Sequence, residues 1–111
     1  MDDEERRETW EQFRELVNMT PAGLEKWLES DESHSAGQHG KDGAESTGHA
    51  SGRRIVEIQR SKKGDLSDDD YQHMRKVVGY VRRHLAQRPS GDVRDTRWRH
   101  SLMNWGHDPL A

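Results

Sequence analysis

Apolar residues along the chain gather into short groups at helical spacing, separated by polar stretches. Between Asp3 and Val17 the groups are Trp10, Phe13, Leu16 and Val17, one face of a helix, with Glu4, Glu8, Glu11 and Glu15 on the opposite side. "NMTPAGLEKWLES" reads as a turn into a second helix: Thr20 is its cap, Pro21 its first residue, and Leu24, Trp27 and Leu28 its buried stripe. From Ser30 to Gly52 the chain has no Leu, Ile, Val or aromatic residue, so this stretch is expected to be a disordered linker (30–52), unable to bury enough surface to offset its ordering entropy. Regularity returns in "GRRIVEIQRSKK", where Ile55, Val56 and Ile58 suit a short helix, a strand being the alternative, and Gly64 stops it. Ser67 followed by Asp68, Asp69 and Asp70 predicts a strong helix start, with a carboxylate at the capping-box position. That helix should run to about Gln87. Asp92 is expected to cap a last helix reaching Trp105, with Gly106 as left-handed terminator and Pro109 preventing resumption. The expectation is an all-α single domain over 1–111, a small bundle of about five helices with a long disordered loop between the second and third.

The longest predicted helix carries the most information. With Met74 at the centre of its buried face, Tyr71, Val77, Val78, Val81 and Leu85 gather around it. Arg75, Lys76, Arg82 and Arg83 fall on the exposed arc, and Gly79 and Ala86 lie in its middle. A helix-interior glycine costs roughly 1 kcal/mol relative to alanine, which suggests close approach of something to the backbone at Gly79. A shallow notch rimmed by four cations suits a phosphate backbone. Arg53, Arg54, Lys62 and Lys63 precede the helix and are expected to extend the patch; the alternative is an ordinary solvated surface.

Charge sharpens this picture. The net charge is −3, yet residues 1–50 carry 13 acidic and 5 basic side chains whereas residues 51–111 carry 8 and 13. Such a separation suggests a basic surface facing a partner, or two surfaces that attract each other. The exposed acidic stripe of the first helix could meet the basic helix of a second copy, giving a homodimer. With 29% hydrophobic residues the apolar supply is thin for a full-length globule. The absence of cysteine excludes disulfides, thiol nucleophiles and thiolate metal sites. No apolar run approaches the roughly 20 residues of a membrane span. The acidic start "MDDEERRETW" has no apolar signal core, so a cytoplasmic location is expected, with no membrane partner.

Recognisable catalytic and metal motifs are absent from the sequence. The chain has no phosphate-cradling glycine loop, no nucleophile elbow and no helix with two histidines at ligand spacing beside a glutamate. His34, His39 and His49 lack compact ligand spacing, and Asp68-Asp69-Asp70 is explained by its place at a helix start. His73, Tyr80 and His84 border the core side of the long helix. Trp98, Leu102 and Trp105, at i, i+4 and i+7, are expected to fill the core, since few large apolar residues are available. His107-Asp108-Pro109 is expected to form a turn folding Leu110 back, with a local hydrogen bond from Asp108. No catalytic residue, metal, cofactor or small-molecule substrate is assigned.

"VNMTPAGLEKWL", "GDLSDDDYQHMRKVVGYVRRHLAQRP" and "WRHSLMNWGHDP" resemble an uncharacterised domain family of bacteria, haloarchaea and some fungi, marked by the ending W-x-x-SLMNWGHDP. Its members are sometimes labelled DNA-binding, and the resemblance implies no catalytic motif. The expected function is non-enzymatic DNA binding, with Arg75, Lys76, Arg82 and Arg83 on phosphates and Gly79 permitting close approach. No Asn or Gln pair is placed to read base edges, so sequence specificity should be low. About four neutralised phosphates would give a log–log salt slope near −3.6. The alternative is a protein-interaction module that self-associates through the acidic first helix and the basic long helix.

Overall fold

The structure, a computed structural model, describes residues 1–36 and 46–111. Among the described residues it is all-helical, with six α-helices: α1 (Asp3–Leu16), α2 (Pro21–Leu28), α3 (Asp31–Ala36), α4 (Thr47–Arg60), α5 (Asp68–Leu85) and α6 (Arg97–Asn104). A 3₁₀ turn over Lys63–Asp65 joins α4 to α5. None of these helices is long and apolar enough to cross a membrane. One hydrophobic cluster holds the bundle together. Phe13 of α1, Leu24 of α2, Ile55 and Ile58 of α4, Met74 and Val77 of α5, and Leu102 of α6 are all nearly inaccessible.

The helix starts follow the caps in the sequence, with one exception. Thr20 accepts the Gly23 amide through its hydroxyl, and Pro21 occupies the first turn of α2. Ser67 and Asp70 form the reciprocal capping box of α5, in which each side chain accepts the other's backbone N–H. α6 begins later than expected. Its cap is Thr96, whose hydroxyl accepts the Arg99 amide at 3.2 Å, while Asp92 is engaged with the Arg94 guanidinium at 2.7 Å.

The main correction concerns residues 30–52. Asp31–Ala36 is helical and α4 starts at Thr47, so only 37–45 lies outside the described residues, between α3 and α4 rather than between the second and third of five helices. This stretch lacks large apolar groups because it packs with small ones. Ser33, Ala36, Ser46, His49, Ser51 and Gly52 are all buried. Gly52 shows why: a Cβ there would lie 2.5 Å from the Asn104 carbonyl and 2.7 Å from Leu28. The backbone of α4 thus sits directly against α2 and α6, an approach that only glycine permits.

The ending is a clasp. Gly106 takes φ +81° and closes α6 in a Schellman arrangement: the His107 amide donates to Leu102 O, and the Gly106 amide to Met103 O. His107 Nδ1 then donates to Leu16 O at 2.6 Å, and Asn18 and the Asp108 backbone exchange two hydrogen bonds at 2.8 and 2.9 Å. Met19 N adds a bond to Gly106 O. Tail and α1–α2 turn are therefore one unit. Burial pushes the Asp108 carboxyl up, but hydrogen bonds from Arg99 and the Leu110 amide outweigh it and hold the carboxyl below its ordinary range. Leu110 itself is 43% exposed, so the turn does not fold it into the core.

Candidate functional site

α5 is built to bury one stripe and expose another. Tyr71, Met74, Val77, Val78 and Val81 face the core, as their spacing requires. The cations of the opposite arc do not form one ridge, because neighbouring helices divide them. α1 packs along one flank of α5. There Arg75 pairs with Glu5 at 3.2 Å and reaches the Thr9 hydroxyl at 3.4 Å, while Arg6 of α1 bridges to Asp68 and lies 4.9 Å over the Tyr71 ring. The first helix thus reaches the basic helix within the same chain, through Glu5 rather than through the acidic stripe. Arg82 stands on the exposed arc between the flanks. Lys76 and Arg83 turn to the other flank, where α4 and α6 approach.

On that flank Lys76, Tyr80, Arg83 and His84 of α5 face Arg97, Trp98, Ser101, Asn104 and Trp105 from α6 and its C-terminus. With Ala36, Thr47 and Gly48 they line a cleft of about 620 Å³. The spacing 76, 80, 83, 84 is one helical stripe, which explains why two cations and two rings share this wall. Among the described residues no Asp or Glu lines the cleft, whereas three cations do. Such a wall favours an anion. The neighbouring first turn of α4, which includes Thr47 and Gly48, carries no acidic residue.

The floor is aromatic. His73, Trp105, Tyr80, His84 and Trp98 form a series of nearly parallel rings, with successive interplanar angles of 10°, 14°, 14° and 11°. Tyr80 and Trp105 are the closest pair, with centroids 4.2 Å apart. Gly48 makes room for this ladder: a Cβ there would come within 3.1 Å of Trp105 Nε1. Trp98 Nε1 donates to His84 O at 2.7 Å, and the Arg88 guanidinium lies 5.6 Å from the centre of the Trp98 ring. Trp98 and Trp105 therefore do two jobs. Both are buried, as expected of core residues, and both also border the cleft.

Buried titratable groups here are held neutral. Burial, and then the nearby Arg54 and Lys76 charges, push the His73 imidazole down to about 4. Burial also lowers His84, whose Nε2 is enclosed without a hydrogen-bond partner. Tyr80 is raised by burial. Among the described residues, no carboxylate is hydrogen-bonded to the His73 or His84 imidazole; His73 Nε2 meets the Ser51 hydroxyl at 2.9 Å.

The remaining cations expected to extend the patch lie elsewhere. Arg54 points to Asp70 at 3.4 Å. Lys63 Nζ stacks over the Trp10 ring at 5.6 Å. Arg53 borders a separate groove between α2 and α4, among Glu25, Glu29 and Glu57, and Lys62 is exposed beside the 3₁₀ turn. Gly79 also differs from expectation. The Arg83 guanidinium lies over it, 3.1 Å from where a Cβ would stand, so the notch is filled by the helix's own side chain. Arg97 was missed by sequence reasoning, since only the position of α6 brings it to the cleft; its Nε donates to Ala36 O at 3.1 Å. The stripe spacing of Tyr80 with Lys76 and Arg83, in contrast, was available in the sequence. Among the histidines of the 30–52 stretch, His34 and His49 stack at 4.3 Å and His39 lies outside the described residues. No group of three His, Asp or Glu side chains among the described residues could hold a metal ion.

Neither a curated protein nor a solved structure matches the chain. A family model does match, over residues 12–103, which runs from the last turns of α1 into α6 and covers the α5 cation arc and every cleft-lining residue except Asn104 and Trp105. The chain belongs to the family described as Protein of unknown function (DUF3140).

Proposed function

We propose that the protein is a non-enzymatic nucleic-acid-binding domain that contacts the phosphate backbone from the cleft side of α5. Lys76, Arg82 and Arg83 of α5, together with Arg97 at the start of α6, form the contact surface. The observation that carries this reading is the wall itself: three cations and, among the described residues, no carboxylate, in a chain whose net charge is negative. Arg75 leaves the contact set because Glu5 already neutralises it. Arg97 takes its place, so the number of phosphates engaged stays at about four. Lys76 and Arg83 remain exposed, and Arg83 covers Gly79 with a flexible side chain that can swing outward to a phosphate. Low sequence specificity follows, because such contacts position a backbone without reading base edges.

Fluorescence anisotropy with a labelled DNA at low salt tests this. The Lys76, Arg82, Arg83 and Arg97→Ala quadruple variant should lose affinity by more than about a hundredfold, consistent with several phosphate contacts. Equal affinity of the variant and the parent would overturn the reading. Exposed Glu4, Glu8, Glu11 and Glu15 on α1 favour a second reading, charge-driven self-association with the basic arc of another copy. Sedimentation velocity at low and high salt separates the two: a dimer that dissociates with salt in the absence of nucleic acid supports self-association.

A further inference from the structure

The cleft offers more than cations. A surface that only followed a duplex would need exposed Lys and Arg, and no cavity. Here the cations stand at the mouth of a volume of about 620 Å³, in the range of small-molecule sites. Its floor is made of π-systems, with Tyr80 and Trp105 stacked at 4.2 Å and Trp98 beyond His84. Thr47 places a hydroxyl group on the wall that can donate to or accept from the edge of a polar ring, and the Ser101 hydroxyl, which donates to Ala36 O at 3.3 Å, can accept there. Cations beside aromatic rings are the combination by which proteins hold single strands, where bases leave the stack and lie against side-chain rings. A paired base in a duplex cannot enter a cleft without being unstacked. α5 is moreover flanked by α1 and α6, so it does not project as an isolated helix into a major groove.

We propose that the cleft receives an unstacked base of single-stranded nucleic acid, with the adjoining phosphate held by Lys76 and Arg83. This rests on the nucleic-acid reading above and narrows its partner from any phosphate backbone to a single strand. Trp98 and Trp105 border the base, whereas Trp10 and Trp27 lie outside the cleft wall. Arg82, on the open arc, contributes to phosphate attraction without touching the base.

The test compares a short oligothymidine strand with a duplex of equal length, at one low salt concentration, by anisotropy and by quenching of tryptophan fluorescence. The single strand should bind on the order of tenfold more tightly and quench the emission. Thr47→Leu and Ser101→Leu, made separately, fill the cleft without removing a cation. Each should erase the preference for the single strand while leaving duplex affinity unchanged, and that retained affinity shows the variant is folded. Arg82→Ala should weaken both ligands alike. If both oligonucleotides bind equally and neither leucine variant alters binding, the cleft is not a base site, although nucleic-acid binding stands. If neither oligonucleotide binds the parent protein, nucleic-acid binding fails and the base site falls with it.

Discussion

At the scale of single residues, two glycines in helical surroundings have opposite roles. Gly79 lies in mid-helix with only the mobile end of Arg83 above it. Gly79→Ala should therefore stabilise the protein by about 0.5–1 kcal/mol, the usual helix-propensity gain, seen as a higher urea midpoint. Destabilisation would show that the backbone there is needed for a contact other than Arg83. Gly106 is different. Its φ of +81° disfavours any side chain, and a Cβ would meet Val17 Cγ1 at 2.8 Å. Gly106→Ala should cost about 2–4 kcal/mol, combining left-handed strain with overpacking. An unchanged melting temperature would contradict the clasp.

Where α6 meets α2 and α3, a polar network adds to the shared apolar core. Asn104 of α6 is 1% exposed and gathers α2 and α3: its Oδ1 accepts from Trp27 Nε1 at 2.8 Å and from the Ser33 hydroxyl, and its Nδ2 donates to Ser33 O at 3.0 Å. Asn104→Ala leaves an indole N–H and a buried hydroxyl unpaired, so denaturant unfolding should show a loss of about 2–4 kcal/mol. A loss below about 0.5 kcal/mol would mean that water replaces the network. This contact also explains what was legible in the sequence. The stripes Phe13–Val17, Leu24–Leu28, Tyr71–Val81 and Trp98–Leu102 repeat at helical spacing and are buried as that spacing predicts. α3 and the first turns of α4 carry Ser33, Ser46, Ser51 and Gly52 instead, and such residues signal close helix packing only once the partner helix is known. Within the site, Lys76, Arg82 and Arg83 were legible from the exposed arc of one helix. The engagement of Arg75 by Glu5, and the arrival of Arg97, Trp98 and Trp105 at the cleft, depend on how three helices meet.

Across the whole molecule, proton and salt dependence follow from where charge is buried. His73, beside Ser51 and stacked on Trp105, takes up a proton only near pH 4 when folded, against 6.5 in the unfolded chain. Between those values the unfolded state binds more protons, so stability present above pH 6.5 is lost as the pH falls toward 4. His84 is lowered as well and acts in the same direction. The carboxyls of Asp68, Asp70, Asp92 and Asp108, held below 3.8, add their losses only at more acidic pH. Urea midpoints should therefore drop between pH 7 and pH 5, and His73→Gln should reduce that drop; an identical pH profile in the variant would contradict the assignment.

The same charge distribution sets the response of binding to salt. If Lys76, Arg82, Arg83 and Arg97 neutralise about four phosphates, log affinity for duplex DNA should fall against log salt with a slope near −3.6, and near −2.8 for a single strand. That titration, run on both ligands with the unmodified protein, tests the cation-lined wall most directly. Slopes close to these values are the predicted result; a flat salt response, or binding that no salt concentration weakens, would contradict it.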